Sequence, residues 1–198
     1  MYRPEIKVID CSIRDGGLMN NSKFPMEMVQ RVLKAVNESG ADVCELGYRN
    51  SKKMFSPDEY GPWRFCDEEV LKRAVDGIDL NVAIAVMQDA HKAFEEDVLP
   101  KEQSVVDMIR VATYVKDVDK AIHLANSALD KGYRAAINIM AISHVIEREL
   151  DEALQQIEEE TKVESCYLVD SFGALYSEDI HYFVKKYQLN KIEKSDKK

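Results

Sequence analysis

Asp10-Cys11-Ser12-Ile13-Arg14-Asp15-Gly16-Gly17 is the stretch on which the reading of this chain turns. An apolar run over residues 6–9 feeds into it, and a run of that size beside a turn signal predicts a buried strand. Two carboxylates and a guanidinium within six residues are costly to desolvate at a strand end unless they are paired or bound to a metal. If the strand continued, its period of two would put Asp10, Ser12 and Arg14 on one side. The glycine pair would let the backbone break away and turn Asp15 inward. Two readings stay open from spacing alone: an ion-paired strand end before a turn, or a site.

Working outward, the pattern repeats. A polar loop leads to Pro25, which opens a helix whose apolar residues Met28, Val29, Val32, Leu33 and Val36 recur at helical spacing and which ends at Gly40. A second strand is expected over 42–48, with Glu45 between apolar neighbours. A lone glutamate inside a strand covered on both faces calls for a partner, structural or catalytic. The long connection 49–66, with Gly61-Pro62-Trp63 in it, has the length of a segment that covers a site or of a surface excursion. Asp67 is the expected N-cap of the next helix.

Further strands are expected over 80–86, 105–112, 135–141 and 165–170. Between them come a short helix-like piece over 88–96 and helices over 117–131, 145–161 and 177–187. Six alternating β-α units predict an α/β fold with a parallel sheet and helical crossovers. Residues 1–190 form one domain in this reading, and 191–198 a charged, frayed tail. Arg14, Asp15, Glu45 and Asp170 all fall at or near C-terminal strand ends, the face on which such sheets build sites. No G-x-G-x-x-G follows a strand, which leaves nucleotide binding of that type without support.

Composition narrows the classes. The chain has 198 residues and a formal net charge of −9, which argues against nucleic acid as a partner. No apolar stretch is long enough for a membrane span. The four cysteines show no C-x-x-C pairing and read as reduced thiols, as in a cytoplasmic protein.

The opening stretch resembles the Asp-x-Thr/Ser-x-Arg-Asp-Gly motif of the DRE-TIM metallolyases, a superfamily of TIM barrels that handle an enolate with a divalent metal. Three more segments resemble that family in order: Glu45-Leu46-Gly47-Tyr48, Ile109-Arg110-Val111-Ala112-Thr113 and Tyr167-Leu168-Val169-Asp170-Ser171-Phe172-Gly173. The last is close to the Val-Asp-Ser-x-Gly of the 4-hydroxy-2-oxovalerate aldolase branch. The resemblance implies a TIM-barrel-like fold, here six consecutive β-α units of an incomplete (β/α)8 barrel. It implies lyase chemistry on a 2-oxo acid through a pyruvate enolate. It implies Asp15 as a ligand of Mn²⁺ or Mg²⁺, Arg14 as the group that stabilises the enolate oxygen, and Glu45 as the group that orients Arg14. Asp170 and Ser171 would lie where the family meets the pyruvate half of its substrate.

Two departures accompany it. The aldolases place an acid/base histidine just after Arg-Asp-Gly, where this chain has Gly17-Leu18-Met19-Asn20. The family's other metal ligands are a His-x-His on a seventh strand, and this chain has no His-x-His. His144 lies on the right face but matches no family motif and reads as an ordinary histidine. The expected sheet is therefore open, with edges that pair with a second chain or a homo-oligomer partner. The alternative to a lyase is a truncated or non-catalytic relative that binds a partner through that edge; an acyl-CoA-condensing enzyme is a third reading.

Overall fold

The computed structural model describes residues 6–195. Six parallel strands pair in sequence order: β1 (Ile9–Asp10), β2 (Val43–Tyr48), β3 (Ala83–Asp89), β4 (Met108–Thr113), β5 (Arg134–Ile139) and β6 (Ser165–Leu168). The sheet is a half-barrel, six strands of a TIM-barrel-like α/β fold, with β1 and β6 as its edges. The helices are α1 (Ser12–Gly16), α2 (Met26–Ser39), α3 (Glu68–Val75), α4 (Val118–Asp130), α5 (Glu147–Glu160) and α6 (Ser177–Ser195).

Strand alternation sorts the core into two sides. Cys44, Leu46, Ile84, Val86, Ile109, Val111, Ile137 and Ile139 face the helices and join one large apolar cluster with Leu33, Leu71, Leu124 and Leu150. The opposite parity faces the barrel interior, where Val43, Ala85 and Met108 make one small apolar group and Tyr48, Met87 and Ala112 another. Every residue of β2 is buried, so Glu45 is covered on both sides of the sheet. A register shift in the β2–β3 pairing between Glu45 and Tyr48 keeps both residues available to the interior.

The order of elements follows the sequence reading, with three local differences. Residues 12–16 form a helical turn rather than a strand end: the Asp10 carboxylate accepts hydrogen bonds from the Ser12 backbone N–H (3.1 Å) and hydroxyl (2.8 Å), which turns the chain at once. Gly17 has ordinary right-handed backbone angles, and the left-handed residues come later, at Asn21 and Ser22. The segment between β3 and β4 has two 3-10 turns, at Glu95–Asp97 and Lys101–Gln103, where a helix-like piece was expected. Residues 88 and 89 of that piece belong to β3, and Pro100 stops helix propagation beyond it. The last helix runs on to Ser195, which takes in part of the expected tail; residues 196–198 lie outside the described ones.

Candidate functional site

The site grows from β1, the turn after it, and the inner face of β2 and β4. Ile13, 2 % exposed, plugs the α1 turn into the core, and the same turn swings Arg14 over the end of β2. Arg14 Nε donates to Glu45 Oε2 at 2.6 Å, and Arg110 Nη1 donates to Glu45 Oε1 at 2.9 Å. One fully buried carboxylate thus joins two guanidinium groups, one from α1 and one from β4, far apart in sequence. Arg14 also pairs with Asp15, and its charge bears on the neighbouring Tyr48 hydroxyl. Arg110 lies over the Tyr167 ring, 4.5 Å from its centroid, and points Nη1 at Cys11 Sγ (3.6 Å).

Electrostatics follow from burial. Desolvation pulls the Arg14 pKa down, but the Glu45 charge and hydrogen bond more than offset it, and the net shift is upward. Burial pushes the Cys11 thiol up, with Glu45 adding to the push and the two arginines opposing it. Burial likewise raises Tyr48, against the pull of Arg14 and Arg64. Two buried polar atoms on the inner face, Arg110 Nε and Asn138 Oδ1, have no hydrogen-bond partner among the described residues. Fixed positive groups with spare donors can hold a carboxylate or an enolate oxygen without reorganising.

The residues expected from sequence divide into two groups. Arg14, Asp15 and Glu45 come together. Asp170 and Ser171 sit at the end of β6 and structure the turn there: Asp170 Oδ2 accepts from the Leu175 N–H (2.9 Å) and Ser171 Oγ from the Ala141 N–H (3.0 Å). Those backbone hydrogen bonds, that from Leu175 foremost, hold the Asp170 carboxyl below the usual range. No hydrogen bond or ion pair joins Asp170 or Ser171 to Arg14 or Glu45 among the described residues. His144 is exposed and meets the Phe172 ring edge-on at 4.7 Å.

Arg110, Tyr48 and Tyr167 surround the same site, although none of them was singled out from sequence for a role. Arg110 carried the same signal as Glu45, a charge inside an otherwise apolar strand. Asp15 is more than half exposed and already engaged by Arg14, and no cluster of three or more His, Cys, Asp or Glu side chains suited to a metal occurs among the described residues. One carboxylate leaves most coordination positions to water, so these residues do not by themselves make a divalent-metal site.

No family model matches the chain. It is 26 % identical over 176 residues to 4-hydroxy-2-oxovalerate aldolase 3 of Rhodococcus jostii, covering 89 % of this chain and 51 % of that protein. It is 26 % identical over 177 residues to 4-hydroxy-2-oxovalerate aldolase of Pelotomaculum thermopropionicum, with the same coverage of 89 % and 51 %. Among solved structures, the N-terminal domain of a candidate aldolase from Bacteroides vulgatus superposes with a TM-score of 0.75 at 27 % identity, over 92 % of this chain and 60 % of that one. HMG-CoA lyase from Brucella melitensis superposes with a TM-score of 0.62 at 14 % identity, over 88 % and 64 %, a likeness of fold. The chain spans about half the length of the curated relatives it matches. Over most of its own length the chain is thus similar to proteins named 4-hydroxy-2-oxovalerate aldolase, and its fold is that of the aldolase and lyase structures it superposes on.

Proposed function

We propose that this chain carries the 2-oxo-acid half of an aldolase-type lyase site. In this reading Arg14 binds the carboxylate or enolate oxygen of a pyruvate unit while a carbon–carbon bond next to the 2-oxo group is made or broken. The observation that carries it is Glu45, buried and shared between Arg14 and Arg110. A carboxylate clamped from both sides fixes the direction of each guanidinium, so the remaining N–H groups are aimed before a ligand arrives. Tyr48, whose hydroxyl feels the Arg14 charge, would carry a proton where the aldolases have a histidine. Asp15 offers one oxygen ligand to Mn²⁺ or Mg²⁺, and the reading rests on the arginines rather than on that ion. Ser171 and Asp170 would border the substrate from the β6 side, and the protein would work in the cytoplasm.

Oxalate, a planar mimic of the pyruvate enolate, tests this reading. Calorimetric titration is expected to show saturable binding that is lost in Arg14→Met. Binding unchanged in that variant would contradict it. Repeating the titration with Mn²⁺, on wild type and Asp15→Ala, asks separately whether Asp15 is a metal ligand.

A second reading, a partner-binding module, is favoured by apolar side chains left open at both edges. Ile6 and Val8 beside β1 are more than half exposed, and Tyr176 and Ile180 beyond β6 are 77 % and 49 % exposed. A monodisperse monomer in sedimentation, with no binding of a hydrophobic dye, would count against it.

A further inference from the structure

The long connection after β2 holds a buried arginine, Arg64, whose surroundings are unlike those of Arg14 and Arg110. Arg64 is 8 % exposed. Its guanidinium carbon lies 4.8 Å from the Tyr48 ring centroid, 4.9 Å from that of Tyr60 and 5.1 Å from that of Phe55. No carboxylate pairs with it, and none of its side-chain N–H groups has an acceptor among the described residues; Nε is enclosed without a partner. Aromatic rings engage the faces of a guanidinium. Its N–H groups lie in the plane and still need oxygen acceptors. A cation taken out of water and left without a counter-ion is a costly arrangement for stability alone.

The chain holds Arg64 firmly. It ends a 3-10 turn, Pro62–Arg64, wedged between β2 and the loop after α1. Trp63 Nε1 donates to the Phe24 carbonyl (3.0 Å), the Gly61 N–H to the Asn21 carbonyl (2.8 Å), and the Asn50 N–H to the Arg64 carbonyl (3.2 Å). A Cβ at Gly47 would fall 2.2 Å from the Trp63 carbonyl oxygen, and one at Gly61 2.2 Å from that of Ser22, so both glycines are required for this close seating. Tyr48 links the two regions: its ring lies against Arg64 and the Arg14 charge bears on its hydroxyl. Arg64 therefore stands one tyrosine away from the group assigned to the 2-oxo acid.

We propose that Arg64 anchors an oxyanion, a carboxylate or phosphate, carried by the aldehyde that joins or leaves the 2-oxo acid. The proposal rests on the lyase reading above and narrows its substrate to aldehydes with an anionic group. A guanidinium that has no carboxylate of its own among the described residues keeps its N–H groups for a carboxylate or phosphate, which it can bind in bidentate fashion. An uncharged aldehyde would leave that edge unsatisfied.

Trp63 is the single tryptophan of the chain and the immediate neighbour of Arg64, so its fluorescence reports the anchor without turnover. The full chain is titrated with succinic semialdehyde, glyceraldehyde 3-phosphate and inorganic phosphate, with propionaldehyde as the uncharged control. The expected result is a saturable change with the succinic semialdehyde carboxylate or with the two phosphates, but none with propionaldehyde. Which of the two classes binds identifies the anion. In Arg64→Met the affinity should fall by at least about tenfold, the scale of a charge-assisted hydrogen bond. Arg64→Lys, which keeps the charge but not the flat fork, should fall in between and covers the case in which the first variant does not fold. No saturable response from any anion, or equal affinity in Arg64→Met, overturns the proposal. Loss in Arg14→Met with Arg64→Met unaffected also overturns it, because the anion would then sit at the other arginine pair. Since no reaction is read, a chain without lyase activity would still show the anchor, and a missing anchor would leave the oxalate result standing.

Discussion

Glu45 and Arg64 are both buried charges within twenty residues of each other in sequence, and they are handled in opposite ways. Glu45, in the middle of β2, has two guanidinium partners. Arg64, in the connection that follows, has three aromatic rings and, among the described residues, no carboxylate. The contrast teaches a division of labour. A charge neutralised from within the chain orders the side chains around it. A charge left without an internal counter-ion is available to something from outside.

The largest break of this comparison is Glu45→Ala. It would leave buried Arg110 and half-buried Arg14 without their shared carboxylate, and the expected loss is about 3–5 kcal/mol by urea denaturation. Arg64→Met strands no partner, and its stability is expected within about 1 kcal/mol of wild type. If the two variants were equally destabilised, Arg64 would be a structural residue and the contrast would fail.

Gly47→Ala comes next. Its methyl would meet the Trp63 carbonyl, an unyielding backbone atom, and overpacking of that kind costs about 1–3 kcal/mol. The signature would be a shifted Trp63 emission, because the turn that carries Arg64 must move. An unshifted spectrum would mean the turn is not seated by Gly47.

The third effect is smaller near neutral pH and concerns the opposite side of β2. Burial pushes the Cys44 thiol up to about 12, from an ordinary value of 9.0. The folded state keeps the proton while the unfolded chain gives it up, so this contribution is whole below pH 9 and is lost progressively from there toward 12. Cys44→Ala should reduce the drop in stability between pH 8 and 10 by about 1 kcal/mol. An unchanged drop would place the alkaline sensitivity elsewhere, for instance at Cys66, which is equally raised.

Particular residues show why some of this was legible in the sequence. Glu45 stood out because a charge amid apolar strand residues has few places to go, and the structure places it where that logic requires. The central strands β2 to β5 were legible because they are buried almost throughout, which makes each a compact apolar run. The turn at 12–16 was not, since it depends on the Asp10 carboxylate reaching two groups of Ser12 in three dimensions. Arg64 was not legible either. Its three rings come from residues 48, 55 and 60, at separations with no period, and only the folded connection gathers them. Asp170 and Ser171 matched a motif, yet Asp170 accepts a hydrogen bond within its own turn and Ser171 one from Ala141 beyond β5.

The most direct test of the central claim, that Arg14 acts on the 2-oxo acid, is exchange of the pyruvate methyl protons with deuterated water, followed by NMR with Mn²⁺ supplied. The account predicts protein-dependent exchange that falls by about a hundredfold or more in Arg14→Lys, the scale of losing one fixed donor to a developing oxyanion. Equal exchange in wild type and Arg14→Lys, or none with either, would contradict it.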